Sequence, residues 1–119
     1  MIAYFITNDT ILNVNNKHID FKHNINKIIE AGDLLIVHIF DSIEKKGILK
    51  MSEQPLNGVY AVDAYGDLQW NVKDIVGKDE MYTGISKDSN GNLIVVTFMG
   101  IAKVIDVNSK QTIGKWVTK

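Results

Sequence analysis

Three histidines are the first residues to weigh as catalysts or metal ligands: His18, His23 and His38. His18 and His23 lie five positions apart, which in an extended strand turns them to opposite faces and makes poor metal geometry. His38 stands in the middle of the apolar run "LLIVHIF", where a hydrogen-bonded core histidine outweighs a general base. A serine nucleophile needs a base and an orienting group beside it, and Ser42, Ser52, Ser86, Ser89 and Ser109 are isolated. The chain has no cysteine, which removes thiolate nucleophiles, disulfides and Cys-ligated zinc or iron–sulfur sites. Its glycines fall one or two per turn, Gly66 and Gly91 among them, and build no phosphate-binding loop. The expectation is a protein that is not an enzyme, with no catalytic, metal or cofactor-binding residues and no cofactor. Catalysis by His38 with a nearby carboxylate ranks last among the readings.

The elements that carry these side chains belong to one domain spanning residues 1–119, large enough to bury its own core, with 45% apolar residues, 23% charged residues and a net charge of -1. The opening "MIAYFITNDT" lacks the basic start and apolar run of a signal peptide. No stretch approaches the roughly eighteen apolar residues that cross a bilayer. These features predict a cytoplasmic protein without a membrane partner. All 13 basic residues are Lys. Without the planar fork of Arg, and with a near-neutral charge, the chain is not expected to bind nucleic acid directly.

The most informative pattern is a repeat. "AVDAYGDLQW" (61–70) is echoed by "VIDVNSKQTIGKW" (104–116), and upstream "GDLLIVHI" (32–39) aligns with "GNLIVVTF" (91–98). Each copy reads as four short strands: "NKIIEA", "LLIVHIF", "GVYAVDA" and "DLQWNV", then "TGISKD", "LIVVTFM", "AKVIDV" and "TIGKWV". Their β-branched content and the turns "AGD", "AYGD", "DSNGN" and "VNSKQ" favour strands over helices. The Asn-Gly of "SNGN" supplies the positive φ angles of a tight hairpin. Asp63 and Asp106, each ending a third strand, are placed to accept backbone N–H bonds from the turn that follows. The N-terminal stretch predicts three further strands over Ile2–Thr7, Thr10–Asn15 and His18–Lys22.

A four-stranded unit of about 40–45 residues in tandem is the mark of a propeller blade. The repeat resembles the quinoprotein-like propeller blade through Asn90, Gly91, Leu93, Val95, Val62, Asp63 and Trp70, together with Val104, Ile105, Asp106 and Trp116. That resemblance implies an all-β, partial (half) β-propeller of about two and a half to three antiparallel blades. Residues 1–25 would form a partial first blade, 26–76 a second and 77–119 a third. Trp70 and Trp116 would each pack against an adjoining blade.

The first copy carries a long insertion at 41–57, "DSIEKKGILKMSEQPLN", where the second has only Met99 and Gly100. Inserted loops of this kind are disproportionately functional. In a propeller it would share one face with "VKDIVGKDEMY" (72–82). A small chain with a truncated propeller and one enlarged loop is similar to the immunity proteins of bacterial contact-dependent growth inhibition and related polymorphic toxin systems. One type in that group is a half-propeller paired with an RNase A-like toxin domain. The resemblance implies a non-catalytic antitoxin that binds a cognate C-terminal toxin domain and blocks its active site, monomeric when free and heterodimeric with the toxin. The contact residues would be Asp41, Glu44, Glu53, Asp74, Asp79, Glu80 and Tyr82. The alternative is a self-assembling propeller fragment that binds a small ligand or carbohydrate.

Overall fold

The computed structural model describes residues 1–41 and 54–118. Within them the chain runs through β1 (Phe5–Thr7), β2 (Ile11–Val14), β3 (Lys17–Asp20), β4 (Ile25–Ala31), β5 (Leu34–Ile39), β6 (Val59–Asp63) and β7 (Leu68–Asn71). A short helix α1 (Val72–Val76) follows, then β8 (Tyr82–Lys87), β9 (Leu93–Thr97), β10 (Ile101–Asp106) and β11 (Gln111–Val117). Each strand of the repeat forms where its β-branched residues sit between turn residues, as expected. The expected turn chemistry is present too. Asp63 Oδ1 accepts from the backbone N–H of Tyr65 and Asp67 at 3.0 and 2.9 Å, and Asp106 Oδ1 accepts from Asn108 at 2.9 Å. Asp88 does the same for Asn90 and Asn92 in the "SNGN" turn, where Gly91 has φ +82.

The helix was not anticipated, although its signals are local. Asn71 caps it, accepting from Lys73 N at 3.1 Å. Asp74 reaches back to Asn71 N at 2.9 Å, and Gly77 ends it in the left-handed conformation.

The strands pair as meanders in three separate sheets, ordered β1-β2-β3, β4-β5-β6-β7 and β11-β10-β9-β8. The middle sheet is covered on both sides. Leu35, Val37 and Ile39 of β5 and Val62 of β6 pack with Leu12 and Val14 of the first sheet. On the opposite face Ile36, Val59, Ala61 and Trp70 pack with Tyr82, Ile85, Leu93, Val95 and Ile105 of the last sheet. This is why β5 reads as an unbroken apolar run: both of its faces are interior. Leu35, Ile36 and Val37 are wholly buried, each contributing about 1.5–3 kcal/mol from removal of apolar surface from water.

The half-propeller expected from the repeat is overturned. Among the described residues ladder pairing stops between β3 and β4 and again between β7 and β8. The result is three distinct antiparallel sheets of 3, 4 and 4 strands, neither closed nor curled as a blade arrangement requires. A tandem repeat records strand order and turn chemistry inside each meander; how one meander is set against the next depends on side chains far apart in sequence. The N-terminal strands, expected as a partial blade, are an independent three-stranded sheet. The likeness to half-propeller immunity proteins rested on that architecture, so the immunity, antitoxin and growth-inhibition identity falls with it.

Candidate functional site

The seven residues expected to share a contact face are differently employed. Asp41 is 3% exposed and serves as a structural latch. Its Oδ1 accepts from Asn24 N at 2.9 Å and its Oδ2 faces His23 Nδ1 at 2.7 Å. Its main chain exchanges two 2.8 Å bonds with the Gln54 side chain. Glu44 and Glu53 lie outside the described residues. Asp74 belongs to the helix cap.

Asp79 accepts from Lys73 Nζ at 2.8 Å and Asn57 Nδ2 at 2.9 Å, and the Lys73 bond leads in holding its carboxyl below the usual carboxylate range. Glu80 pairs with Lys78 at 3.3 Å, while its main chain exchanges hydrogen bonds with Asn57. Tyr82 is 1% exposed, and burial, assisted by the Glu80 charge, pushes its phenol up to about 12. The structure brings Asp74, Asp79 and Glu80 together around α1, but with their charges already met locally.

The histidines are also committed. His38 is fully buried; its Nε2–H donates to the Tyr82 carbonyl at 2.8 Å and Nδ1 accepts from Asn26 Nδ2 at 3.0 Å. Both bonds suit a neutral ring, and burial holds its pKa below the ordinary histidine value. With both nitrogens engaged it ties the middle sheet to the last one. His23 and Asp41 form the kind of pair that can orient a base, yet no described hydroxyl is hydrogen-bonded to His23. No three His, Asp or Glu among the described residues are grouped as a metal site would require.

The register of the last sheet exposes a feature that residue type alone concealed. Its cross-strand rows are Gly84–Val96–Ala102–Trp116, Ile85–Val95–Lys103–Lys115, Ser86–Ile94–Val104–Gly114 and Lys87–Leu93–Ile105–Thr112. The second and fourth rows carry the core residues Ile85, Val95, Leu93 and Ile105, so they face the middle sheet. The first and third face outward. Ile94, Val96, Val104 and Trp116 therefore line one outer surface, with Trp116 47% exposed, and none of the four belongs to either core cluster. Ile113, the extra residue at the β10–β11 irregularity, adds a further exposed side chain beside them. The sequence signal was available: "LIVVT" does not alternate, so a strand in the end sheet must carry apolar side chains on both faces.

At the other end of the stack, the outward row Phe5–Asn13–His18 is polar apart from Phe5. Asn13 donates to Phe5 O and Thr7 Oγ1, both at 3.2 Å, and its carbonyl meets His18 Nδ1. A cleft of about 390 Å³ opens over this row, bordered by Tyr4, Phe5, Asn13, Asn15 and His18. It adjoins the N-terminal segment, which is held to β4 by a bond from Ile2 N to the Glu30 carboxylate.

In comparison with known proteins, a family model described as a domain of unknown function, DUF7957, matches residues 2–117. No curated protein and no solved structure matches the chain.

Proposed function

The chain belongs to the DUF7957 family, and we propose that it is a non-catalytic binding module that docks another protein on the outward face of its last sheet. The observation that carries this reading is the apolar outward stripe Ile94–Val96–Val104–Trp116, set across three adjacent strands and packed against neither core. Contiguous apolar surface reaching solvent marks an interaction site, and tryptophan is among the commonest binding anchors; Trp116 is the exposed member and stands at the sheet-edge end of the stripe. The polar residues that could do chemistry support the same reading, because His38, Asp41, Asp74, Asp79 and Glu80 are each spent on holding the fold.

The strand beside the stripe is suited to such a role. β11 is the edge of its sheet, and all of its residues except Gly114 are exposed. Edge strands invite pairing unless they are blunted. Here the irregularity at Ile113 and the charges of Lys110 and Lys115 discourage indiscriminate pairing, while residues 114–117 keep regular register with β10.

The test is capture on the immobilised protein, identification of the bound protein, and reconstitution from two purified components. Wild type is expected to form a stoichiometric complex, and Val96→Lys and Trp116→Lys are each expected to weaken it at least tenfold while retaining the wild-type circular dichroism spectrum. A reconstituted complex indifferent to both substitutions overturns the assignment of the surface. Turnover of a substrate by the purified protein overturns the non-catalytic reading.

A further inference from the structure

On the outer face of the first sheet, a short side chain stands between two rings. Phe5 of β1 and His18 of β3 are both cross-strand partners of Asn13 on β2, so the three share one face. Asn13 is 5% exposed, whereas Phe5 and His18 both reach solvent. The strands bearing the two rings are two ladder spacings apart, about 10 Å, and carbon contact on either side takes about 3.5–4 Å, so one six-membered ring fits between them. This is the cleft of about 390 Å³, with Asn13 as its floor and Phe5 and His18 as facing walls.

The polar groups of the cleft divide into spent and free. Asn13 Nδ2 donates to the Phe5 carbonyl and to Thr7 Oγ1, both at 3.2 Å, and its Oδ1 meets His18 Nδ1. An amide oxygen only accepts, so the ring proton sits on Nδ1 and the neutral imidazole keeps Nε2 as an acceptor. Nε2 has no hydrogen bond among the described residues, and neither have the Tyr4 hydroxyl and the Asn16 amide on the same rim. The rim itself is fastened to the middle sheet, because Asn15 Nδ2 donates to the Tyr65 carbonyl at 3.3 Å and Lys17 pairs with Asp67. Among the described residues no Lys, Asp or Glu borders the cleft.

We propose that this cleft is a binding site for a neutral saccharide, taking one pyranose ring between Phe5 and His18. A pyranose has apolar C–H faces and a rim of hydroxyls, each of which can donate and accept. The faces meet the Phe5 and imidazole rings, and the hydroxyls meet the acceptor Nε2, the Tyr4 hydroxyl and the Asn16 amide. A phosphate, carboxylate or ammonium ligand would leave water here without a fixed counter-charge to receive it, which disfavours charged ligands. The cleft lies on the first sheet and the docking stripe on the last, so neither site depends on the other.

The experiment is a titration of the full chain with the methyl pyranosides of glucose, galactose, mannose and N-acetylglucosamine, followed by NMR through the Phe5 and His18 ring resonances. Glycerol at matched hydroxyl concentration and adenosine serve as comparisons. At least one pyranoside is expected to give a saturable shift in the millimolar range that glycerol does not produce. Phe5→Ala removes one wall, and His18→Phe keeps a ring while deleting the Nε2 acceptor; each is expected to raise the half-saturation concentration at least fivefold. Asn16→Gly, which suits the φ of +64 there and removes only the amide, is expected to raise it at least twofold. Should His18→Phe fail to fold, Phe5→Ala and Asn16→Gly carry the test. Trp116→Lys should leave the response unchanged, which separates a failure of this site from a failure of the docking surface. Absence of saturation by all four pyranosides up to about 50 mM, tighter saturation by adenosine, or a saturable response that survives Phe5→Ala overturns the site.

Discussion

The first and last sheets occupy equivalent places at the two ends of the stack, yet they finish their outer faces in opposite ways. The first sheet turns Asn13, His18, Thr7 and Asp20 outward together with Phe5 and Ile11, and Asn13 consumes the polar groups around it in its own network. The last sheet turns Ile94, Val96, Val104 and Trp116 outward; the first three are partly buried, Trp116 is 47% exposed, and none belongs to either core cluster. One end carries a hydrogen-bonded polar network beside the exposed Phe5, while the other has no such network and leaves apolar area in contact with water at roughly 25 cal/mol for each Å². A sheet end can place a polar network on its outer face, as Asn13, Thr7 and His18 do in the first sheet. The second solution is the one on which the proposed docking surface rests.

If both end sheets belong to one cooperative unit, their inward leucines should be equally costly to lose. Leu12→Ala and Leu93→Ala, both at wholly buried positions, are each expected to cost about 2–5 kcal/mol in urea denaturation. A cost below about 1 kcal/mol for one of them would mean that its sheet opens independently of the rest, and the comparison of the two ends would fail.

A smaller loss is expected where the middle sheet is tied to the last. His38→Leu leaves the Tyr82 carbonyl and the Asn26 amide without their partner, at about 1–3 kcal/mol. It should also alter the acid response. Because the folded state holds the His38 pKa low, the unfolded chain binds the extra proton first, so this residue's contribution is complete above the unfolded value of 6.5 and is lost as pH falls towards the lower folded value. Wild-type stability is expected to begin declining near pH 6.5, and His38→Leu to lack that limb. Identical pH profiles would show that the ring already carries a proton in the fold.

Asn13→Ala, which undoes the network closing the first sheet's outer face, is expected to cost about 1 kcal/mol. The smallest effects belong to the opposite end. Val96→Thr should change stability by less than about 0.5 kcal/mol, as surface substitutions do. Gly84→Thr should be equally quiet, since a Cβ built there meets nothing within 4 Å, whereas one at Gly58 would meet the Ile39 carbonyl at 2.7 Å. Both changes nevertheless alter the outward stripe, and both should weaken partner binding. A large stability loss from either would show that the stripe is part of the core.

Much of the secondary structure was legible because its causes are local. The strands follow from β-branched runs between turns, and Asp63, Asp88 and Asp106 form their turns with amides only two to four residues away. The helix was legible in the same way, through Asn71, Asp74 and Gly77, but its five residues were too few to stand out from the loop around them. The acidic face was legible only as composition. Nothing local shows that Asp79 finds Lys73 or that Asp41 turns inward to His23 and Gln54.

The two tryptophans mark the boundary. They hold equivalent positions in the two copies of the repeat, yet Trp70 is 4% exposed between the middle and last sheets and Trp116 is 47% exposed on the outside. The sequence by itself determined two four-stranded meanders, their turns and an all-β chain, because hydrogen-bond ladders and turn geometry are set by neighbouring residues. Only the tertiary structure decided that the sheets remain separate and open, and which tryptophan would be covered. Those outcomes depend on which face of each sheet meets another layer, and the last sheet simply has no further layer of the described chain to meet.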